Sequence, residues 1–320
     1  MPCPACLATD AAVFVAAPAD REYFNARQVP AAIMRCARCA SLFQAPWPDA
    51  AEVQGFYGPD YQNYAATSVP LLAQADAAYQ RFTGARFLRR YGRDAAVLDF
   101  GCGQGGFLGS LARAGCTRLA GFDFVLYGEL AALRGARFFD DLDALRDSGL
   151  TFDVIRMRHV IEHLTDPDGV MGALAGLLAP GGRIIGQTPN AAHYTVRLMG
   201  TYWGGLHYPY HTVLFSPAGL GTAAARWGLR LAETTGALLP TGWAMSWENL
   251  LKARTGSRKR GRTAAYTALM ALGMPLALMD RVISPKATAN FDFELDVVGG
   301  ASAPIFGIGA EAPPTREPHD

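Results

Sequence analysis

The chain has 320 residues, half of them apolar, and a net charge of +1. That length allows one large domain or two with a sizeable core, and a nearly neutral chain has no global reason to bind nucleic acid. Residues 1–20 lack the charged start and apolar core of a secretory signal, so the six cysteines are expected as thiols or metal ligands in a reducing cytoplasm.

Four of those cysteines form Cys3-Pro4-Ala5-Cys6 and Cys36-Ala37-Arg38-Cys39. Two such knuckles supply four thiolates to one tetrahedral zinc, and a closed four-sulfur site is structural rather than catalytic. The 29 residues between them exceed the roughly 15–20 of the commonest finger spacing, and a loop or hairpin can occupy the difference. Neither pair opens a βαβ unit, which argues against a redox pair. Residues 1–48 are therefore read as a zinc module. An aromatic connection from Phe56 to Tyr64 follows, and then a helix from Leu71 to Tyr91 with apolar residues at helical spacing. Residues 49–92 form this connecting segment.

From Ala95 onward, strand-like and helical runs alternate, which predicts a mostly parallel sheet with helices on both faces. Val97-Leu98-Asp99-Phe100 runs into the glycine-rich turn Gly101-Cys102-Gly103-Gln104-Gly105-Gly106, and a helix follows to Ala114. Glycines let the backbone take positive φ and approach a ligand closely, and the helix start points free amides into the turn. Twenty residues beyond Gly103, Asp123 ends a second apolar run, where an acid suits a pair of ribose hydroxyls. Gly101, Gly103 and Gly106 also fit the G-x-G-x-x-G pattern of a dinucleotide site, which leaves a nicotinamide-dependent oxidoreductase as one rival.

Asp99-x-Gly101-x-Gly103-x-Gly105 resembles the first motif of class I S-adenosylmethionine methyltransferases. Later segments fit the same family in order: Phe152-Asp153-Val154-Ile155 leading to Met157-Arg158-His159-Val160-Ile161-Glu162-His163, then Pro180-Gly181-Gly182 before a strand and Thr188-Pro189-Asn190 after it. The resemblance covers roughly residues 90–235. It implies a Rossmann-like, doubly wound, seven-stranded sheet over residues 93–302. The implied cofactor is S-adenosylmethionine, with Asp99, Gly101, Gly103, Gly105, Asp123, Asp141 and Met157 around it. Asp141 would face the adenine, although a helix cap is an equal reading of it. The knuckle module followed by Pro46-Trp47-Pro48 is similar to the start of several sugar and glycan methyltransferases.

His159, Glu162 and His163 are spaced i, i+3, i+4, and a helix here would place all three on one face. A histidine beside a carboxylate suits proton removal as a nucleophile attacks a methyl group. The pair Glu162-His163 resembles the dyad of zinc-module sugar C-methyltransferases. It also resembles the metal motif of ubiquinone-type and RNA-end O-methyltransferases, which His207 or His211 would complete. There the first ligand is a glutamate, and His159 in its place disfavours Mg²⁺. Tyr202, Trp203, His207 and His211 lie in an aromatic loop suited to sugars or aromatic rings. The alternative readings are a quinone or RNA-end enzyme using a divalent metal, and a non-catalytic scaffold that only binds the cofactor.

Residues 236–290 read as an insertion. Lys252 to Arg262 carries six basic residues and no acid, and Thr263 to Met279 then runs 17 residues without a charge. That is short of the ~20 residues needed to span a bilayer. Either a helical lid or a peripheral membrane contact through 252–279 at the inner face is expected, the latter with a lipid-linked acceptor. Residues 303–320 hold four prolines and are expected as a disordered tail.

Overall fold

The computed structural model describes residues 1–27, 29–57, 70–124 and 135–298. The expected tail and most of the aromatic connection lie outside them. Seven strands form the main sheet: β4 (Val97–Phe100), β5 (Leu119–Phe122), β6 (Arg137–Phe139), β7 (Phe152–Arg158), β8 (Leu178–Pro189), β10 (Leu229–Gly236) and β11 (Asn290–Val297). Their order is β10-β11-β8-β7-β4-β5-β6. The five strands from β6 to β8 run parallel, and β11 is antiparallel to both of its neighbours. The chain leaves β4 first toward β5 and β6 and later toward β7 and β8, so the order reverses at β4. Ligands of such sheets bind outside the carboxyl ends at this reversal. The central strands are near-continuous apolar runs, every residue of β4 and β5 being buried, because helices cover both faces.

Local signals set the helix starts. Asp49 caps α1 (Ala50–Gln54), α2 (Pro70–Tyr91) precedes the main sheet, and α6 (Tyr194–Met199) follows β8. The Asp141 carboxylate accepts from the Ala144 amide and caps α4 (Leu142–Asp147). Asp166 caps α5 (Pro167–Gly176) and Ser216 caps α7 (Pro217–Arg226), each with proline in the first turn.

A second sheet joins β1 (Ala11–Val15), β2 (Ala32–Cys36) and β3 (Leu42–Ala45) of the N-terminal module to β9 (Val213–Leu214), which follows β8 in the chain. Leu42 pairs with Leu214 and Phe43 with Val213. The module is thus continuous with the main domain through backbone hydrogen bonds. Arg226 of α7 reinforces the join by donating to the Ala5 and Pro4 carbonyls at 2.6 and 2.7 Å. The expected insertion is a hairpin of helices, α8 (Thr241–Thr255) and α9 (Tyr266–Ile283).

The alternation along β11 is apolar against charged, yet the charged face is not solvated. Glu294 and Asp296 are buried. Glu294 receives Arg183 of β8 at 2.5 Å and Arg90 of α2 at 2.7 Å, and Asp296 receives Arg230 of β10 at 2.7 Å. Removing one member of a buried pair strands its partner's charge. Glu294→Gln is expected to cost ~3–5 kcal/mol of stability in urea unfolding, because Arg183 is itself buried and loses its carboxylate.

Candidate functional site

The glycine turn after β4 is shaped by two different constraints. Gly101 has φ +82°, and a Cβ there would run into the Val160 side chain; Gly103 has φ +51°, and a Cβ there would project into open space. Gly105, at φ +73°, stands at the start of α3 (Gly106–Arg113), whose first turn no side chain caps. Asp123, at the end of β5, accepts the Gly103 amide at 2.8 Å and so holds the turn open from its neighbouring strand. Asp99 is buried inside β4 and receives Arg156 at 2.5 Å. Burial pushes its carboxyl upward against the pull of that guanidinium. A backbone bowl with a helix start on one side and an acid on the other suits the anionic and hydroxyl-bearing parts of a nucleoside cofactor. The open space above Gly103 is the room such a group needs.

Two of the expected cofactor residues sit elsewhere. Met157 has no exposed surface and belongs to the main core, because its side chain leaves β7 on the face opposite Arg156 and Arg158. Asp141 is committed to capping α4 and is exposed.

Val160, which packs on Gly101, leads directly into the acid–histidine segment, so the two sites share a wall. The expected helical face does not form there. His159 ends β7 at φ +54°, and Ile161–His163 is a single 3₁₀ turn. His159 and Glu162 still meet: Nδ1 lies 3.0 Å from Oε1. The second carboxylate oxygen accepts from Thr188 at 2.9 Å, and the Glu162 carbonyl accepts the Thr212 amide at 2.8 Å. Glu162 is wholly buried. Burial alone would raise its carboxyl, but the bond and charge of His159 hold it below its ordinary value.

His163 takes a partner of its own, and its Nδ1 lies 2.8 Å from the Tyr57 hydroxyl. Its ring stands 4.6 Å from His211 and 6.4 Å from His207, edge to face. Burial, with His207 and His159 nearby, presses its pKa from 6.5 to about 4 despite Glu162. His211 is buried and pushed well below its ordinary value for the same reason. Its Nδ1 lies 2.8 Å from the Gly205 carbonyl. A carbonyl can only accept, so Nδ1 carries the proton and Nε2 of neutral His211 keeps its lone pair. Donor atoms of Glu162, His163 and His211 all lie within 4.8 Å of one another, which is compact enough for one divalent cation.

The aromatic loop divides. His207 and His211 face this cluster, and Tyr202 is half-buried beneath the Arg21 guanidinium at 4.8 Å. Trp203 is committed to packing: it is 1% exposed and sits in one apolar cluster with Ile33, Leu42 and Leu214 of the second sheet. Sequence reading missed Glu22, Tyr57 and Thr188. Glu22 comes from the long loop between β1 and β2 and meets His207 at 3.1 Å. Burial would raise it, but the bond and charge of His207 bring it down to about 2. The unusual 29-residue gap between the knuckles was the one available signal, since this loop reaches from the knuckles into the histidine cluster.

The knuckles themselves meet. Cys3 and Cys39 Sγ are 3.7 Å apart, and Cys6 and Cys36 Sγ are 3.5 Å apart, too far for disulfides. Each knuckle ends on a residue at positive φ, Leu7 at 60° and Ala40 at 61°, whose amide returns to the Cys3 or Cys36 carbonyl at 2.8 and 3.0 Å. The two halves thus repeat one geometry. A tetrahedron of sulfurs ~2.3 Å from zinc has edges of roughly 3.8 Å, so the set can take one zinc ion.

A methyltransferase-domain family model matches residues 71–234; the knuckle module lies outside that match. The chain is 31% identical over 153 residues to a ubiquinone biosynthesis O-methyltransferase of Brucella anthropi, covering 44% of this chain and 62% of that relative. It therefore spans less than two thirds of that relative's length. The enzyme of the same name from Xanthomonas axonopodis pv. citri is 29% identical over 191 residues, 54% of this chain and 75% of that one. Among solved structures, the Burkholderia thailandensis 1,6-didemethyltoxoflavin-N1-methyltransferase aligns with TM-score 0.45 at 17% identity, over 67% of this chain and 90% of its own.

Two outcomes test these sites. Elemental analysis of purified protein is expected to find about one zinc per chain, with Cys36→Ser releasing it and unfolding the module; four freely reactive thiols in metal-free protein would exclude it. Gly103→Leu, which fills the open space above the turn, is expected to abolish binding of S-adenosylhomocysteine in calorimetry, while Asp123→Ala weakens it by ~1–3 kcal/mol.

Proposed function

The chain belongs to the family of S-adenosylmethionine-dependent methyltransferase domains, and we propose that it methylates a hydroxyl or carbon of a sugar, glycan or other small acceptor, with His163 taking the proton. When bound, the cofactor supplies an electrophilic sulfonium methyl. The backbone of Gly101–Gly105 and the Asp123 carboxylate would hold it, and Asp99 with Arg156 would keep the turn in shape. The observation that carries the reading is a pair of adjacent imidazoles, His163 and His211, 4.6 Å apart and both pressed toward the neutral form, with His163 three residues after Val160, which packs on Gly101 of the glycine turn. A neutral imidazole can accept the proton that an attacking hydroxyl or carbon must lose. In the tautomer where His163 Nδ1 donates to Tyr57, Nε2 is the accepting atom. Buried Glu162 and Thr188, with half-buried His159, form the support beneath it. Glu22, Tyr57 and His207 would wall the acceptor side, with buried Tyr210 packed behind them, a polar and aromatic lining that suits a hydroxylated ring. Glu22 and Tyr57 fall outside the matched residues 71–234, which supports an acceptor of this chain's own rather than the one named for its relatives.

One observation favours a second reading, metal-assisted transfer to an aromatic hydroxyl. Metal-ligating histidines commonly donate their second nitrogen to a carbonyl, as His211 does to Gly205. Glu162, His163 and His211 would then hold the cation.

The two readings part on chelation. With His163 as base, His163→Ala is expected to lower turnover by ~10²–10⁴ with unchanged S-adenosylhomocysteine affinity, and chelator leaves wild-type activity intact as long as elemental analysis finds the knuckle zinc retained. With a metal at the histidines, chelator abolishes activity while the knuckle zinc is still retained, and His211→Ala is as damaging as His163→Ala. Transfer of labelled methyl to a nucleotide-linked sugar supports the sugar reading, and transfer only to a catechol supports the second. Cofactor binding with no transfer to any acceptor would leave a scaffold.

The pH dependence has a definite sign. Folding lowers the His163 pKa from 6.5 to about 4, so the unfolded chain takes up this proton first as pH falls. His163 therefore subtracts stability progressively below 6.5. Activity through this base is expected to hold from neutral pH down toward 5 and to fall near 4, rather than breaking at 6.5, in rates taken where circular dichroism reports native protein.

A further inference from the structure

The α8–α9 hairpin carries a surface that neither the cofactor turn nor the histidine cluster uses. One face of α9 is seated on the protein. Gly273 packs closely against Pro240 and Trp243, where an added Cβ would come within 3.2 Å of both, and buried Asp280 accepts from Tyr194 at 2.5 Å and from Trp243 at 2.8 Å. The opposite face is bare. Leu272, Met274, Leu278, Met279, Val282 and Ile283 are each between 40 and 82% exposed, and the exposed positions of this 18-residue helix include no charged side chain. A contiguous apolar ridge of this size on a soluble surface marks an interaction site.

Charge identifies what covers it. Residues 252–290 hold eight basic side chains and one acid, in a chain of net charge +1. The acid is the buried Asp280. Arg254, Arg258 and Lys259 are exposed where α8 hands over to α9, and Lys286 is exposed beyond the other end. A second copy of the chain laid on this ridge would bring two such basic segments together. Anionic headgroups with acyl chains beneath them complement both the ridge and its basic ends.

By length and composition alone α9 could cross a membrane, but its seating argues for lying in the interface: eighteen residues reach ~27 Å, at the short end for a hydrocarbon core of ~30 Å, and Asp280 with its two partners fixes the helix to the domain. We propose that α9 is an interfacial helix by which the protein docks, reversibly and peripherally, on a bilayer containing anionic phospholipid. Its underside, α8, supports the acceptor loop: Ser246 accepts the Gly204 amide at 2.9 Å. Docking would set the acceptor side one helix layer from the membrane. The inference does not depend on which acceptor is methylated.

Flotation of the full chain with vesicles tests it. Wild-type protein is expected to float with phosphatidylcholine vesicles containing phosphatidylglycerol, to stay unbound with phosphatidylcholine alone, and to dissociate as salt is raised. The pair Leu278→Glu and Val282→Glu, both on the exposed face, is expected to lose binding while melting at the wild-type temperature. Should that pair fail to fold, Arg254→Glu with Lys259→Glu serves in its place, with binding at least about five-fold weaker for each charge removed. No flotation of wild-type protein would overturn the proposal, as would binding unchanged in the variants. A solution dimer that Leu278→Glu dissociates would also overturn it, since a second copy would then cover the ridge.

Discussion

A carboxylate with no exposed surface must find partners for both oxygens or lose its charge, and Glu162 meets that demand with residues from three parts of the chain. His159 at the end of β7 and Thr188 near the end of β8 bind its two oxygens. Its own carbonyl accepts Thr212, the residue before β9. These bonds hold the carboxyl edge of the sheet together where the order of strands reverses. They also set where β9 begins, and hence where the knuckle module attaches. Breaking this arrangement would loosen the histidine cluster and the module's seam at once.

The knuckle module then acts as more than a staple. Its sheet continues into β9, Ser216 donates to the Cys39 carbonyl, and Trp47 donates to the Thr165 carbonyl at 2.8 Å. From this rigid base the loop between β1 and β2 carries Glu22 to His207 and Asn25 to the Tyr210 hydroxyl, 2.6 Å away. A loop so long would ordinarily be poorly determined. Here Asp20 accepts three amides of the same loop, from Glu22, Tyr23 and Asn25, and gives it internal order. The four-cysteine cluster, the module and the histidine cluster are mechanically one unit, so loosening the knuckles would be felt at the histidines.

The site stores its chemistry in burial. Two crowded imidazoles, His163 half-buried and His211 buried, are pressed toward the neutral form, and each has one nitrogen occupied by a local partner, Tyr57 or Gly205. The other nitrogen of each is then poised, to accept a proton or to meet a cation. Beside them the Glu22 carboxylate meets His207 at 3.1 Å. Bases with such lowered proton affinity next to a carboxylate are the arrangement that acid–base chemistry uses.

Much of this was legible in the chain itself, because local rules set it. The glycines of the turn, the strand–turn–helix order, the acid at Asp123 and the four-cysteine spacing follow from backbone sterics and hydrogen-bond needs within a few residues. Tertiary packing decided the rest. Met157 and Trp203 have side chains that suit either a ligand or a core, and only the position of neighbouring elements buried them. Asp141 had equal claims as cap and ligand, and the register of α4 made it a cap. The charged face of β11 reads locally as solvated, but Arg90, Arg183 and Arg230, distant in sequence, turn it into a buried ionic layer. Glu22 and Tyr57 enter the site from outside the motif region altogether. A side chain's partners across the fold depend on where other elements come to rest, and no local pattern in the sequence encodes that.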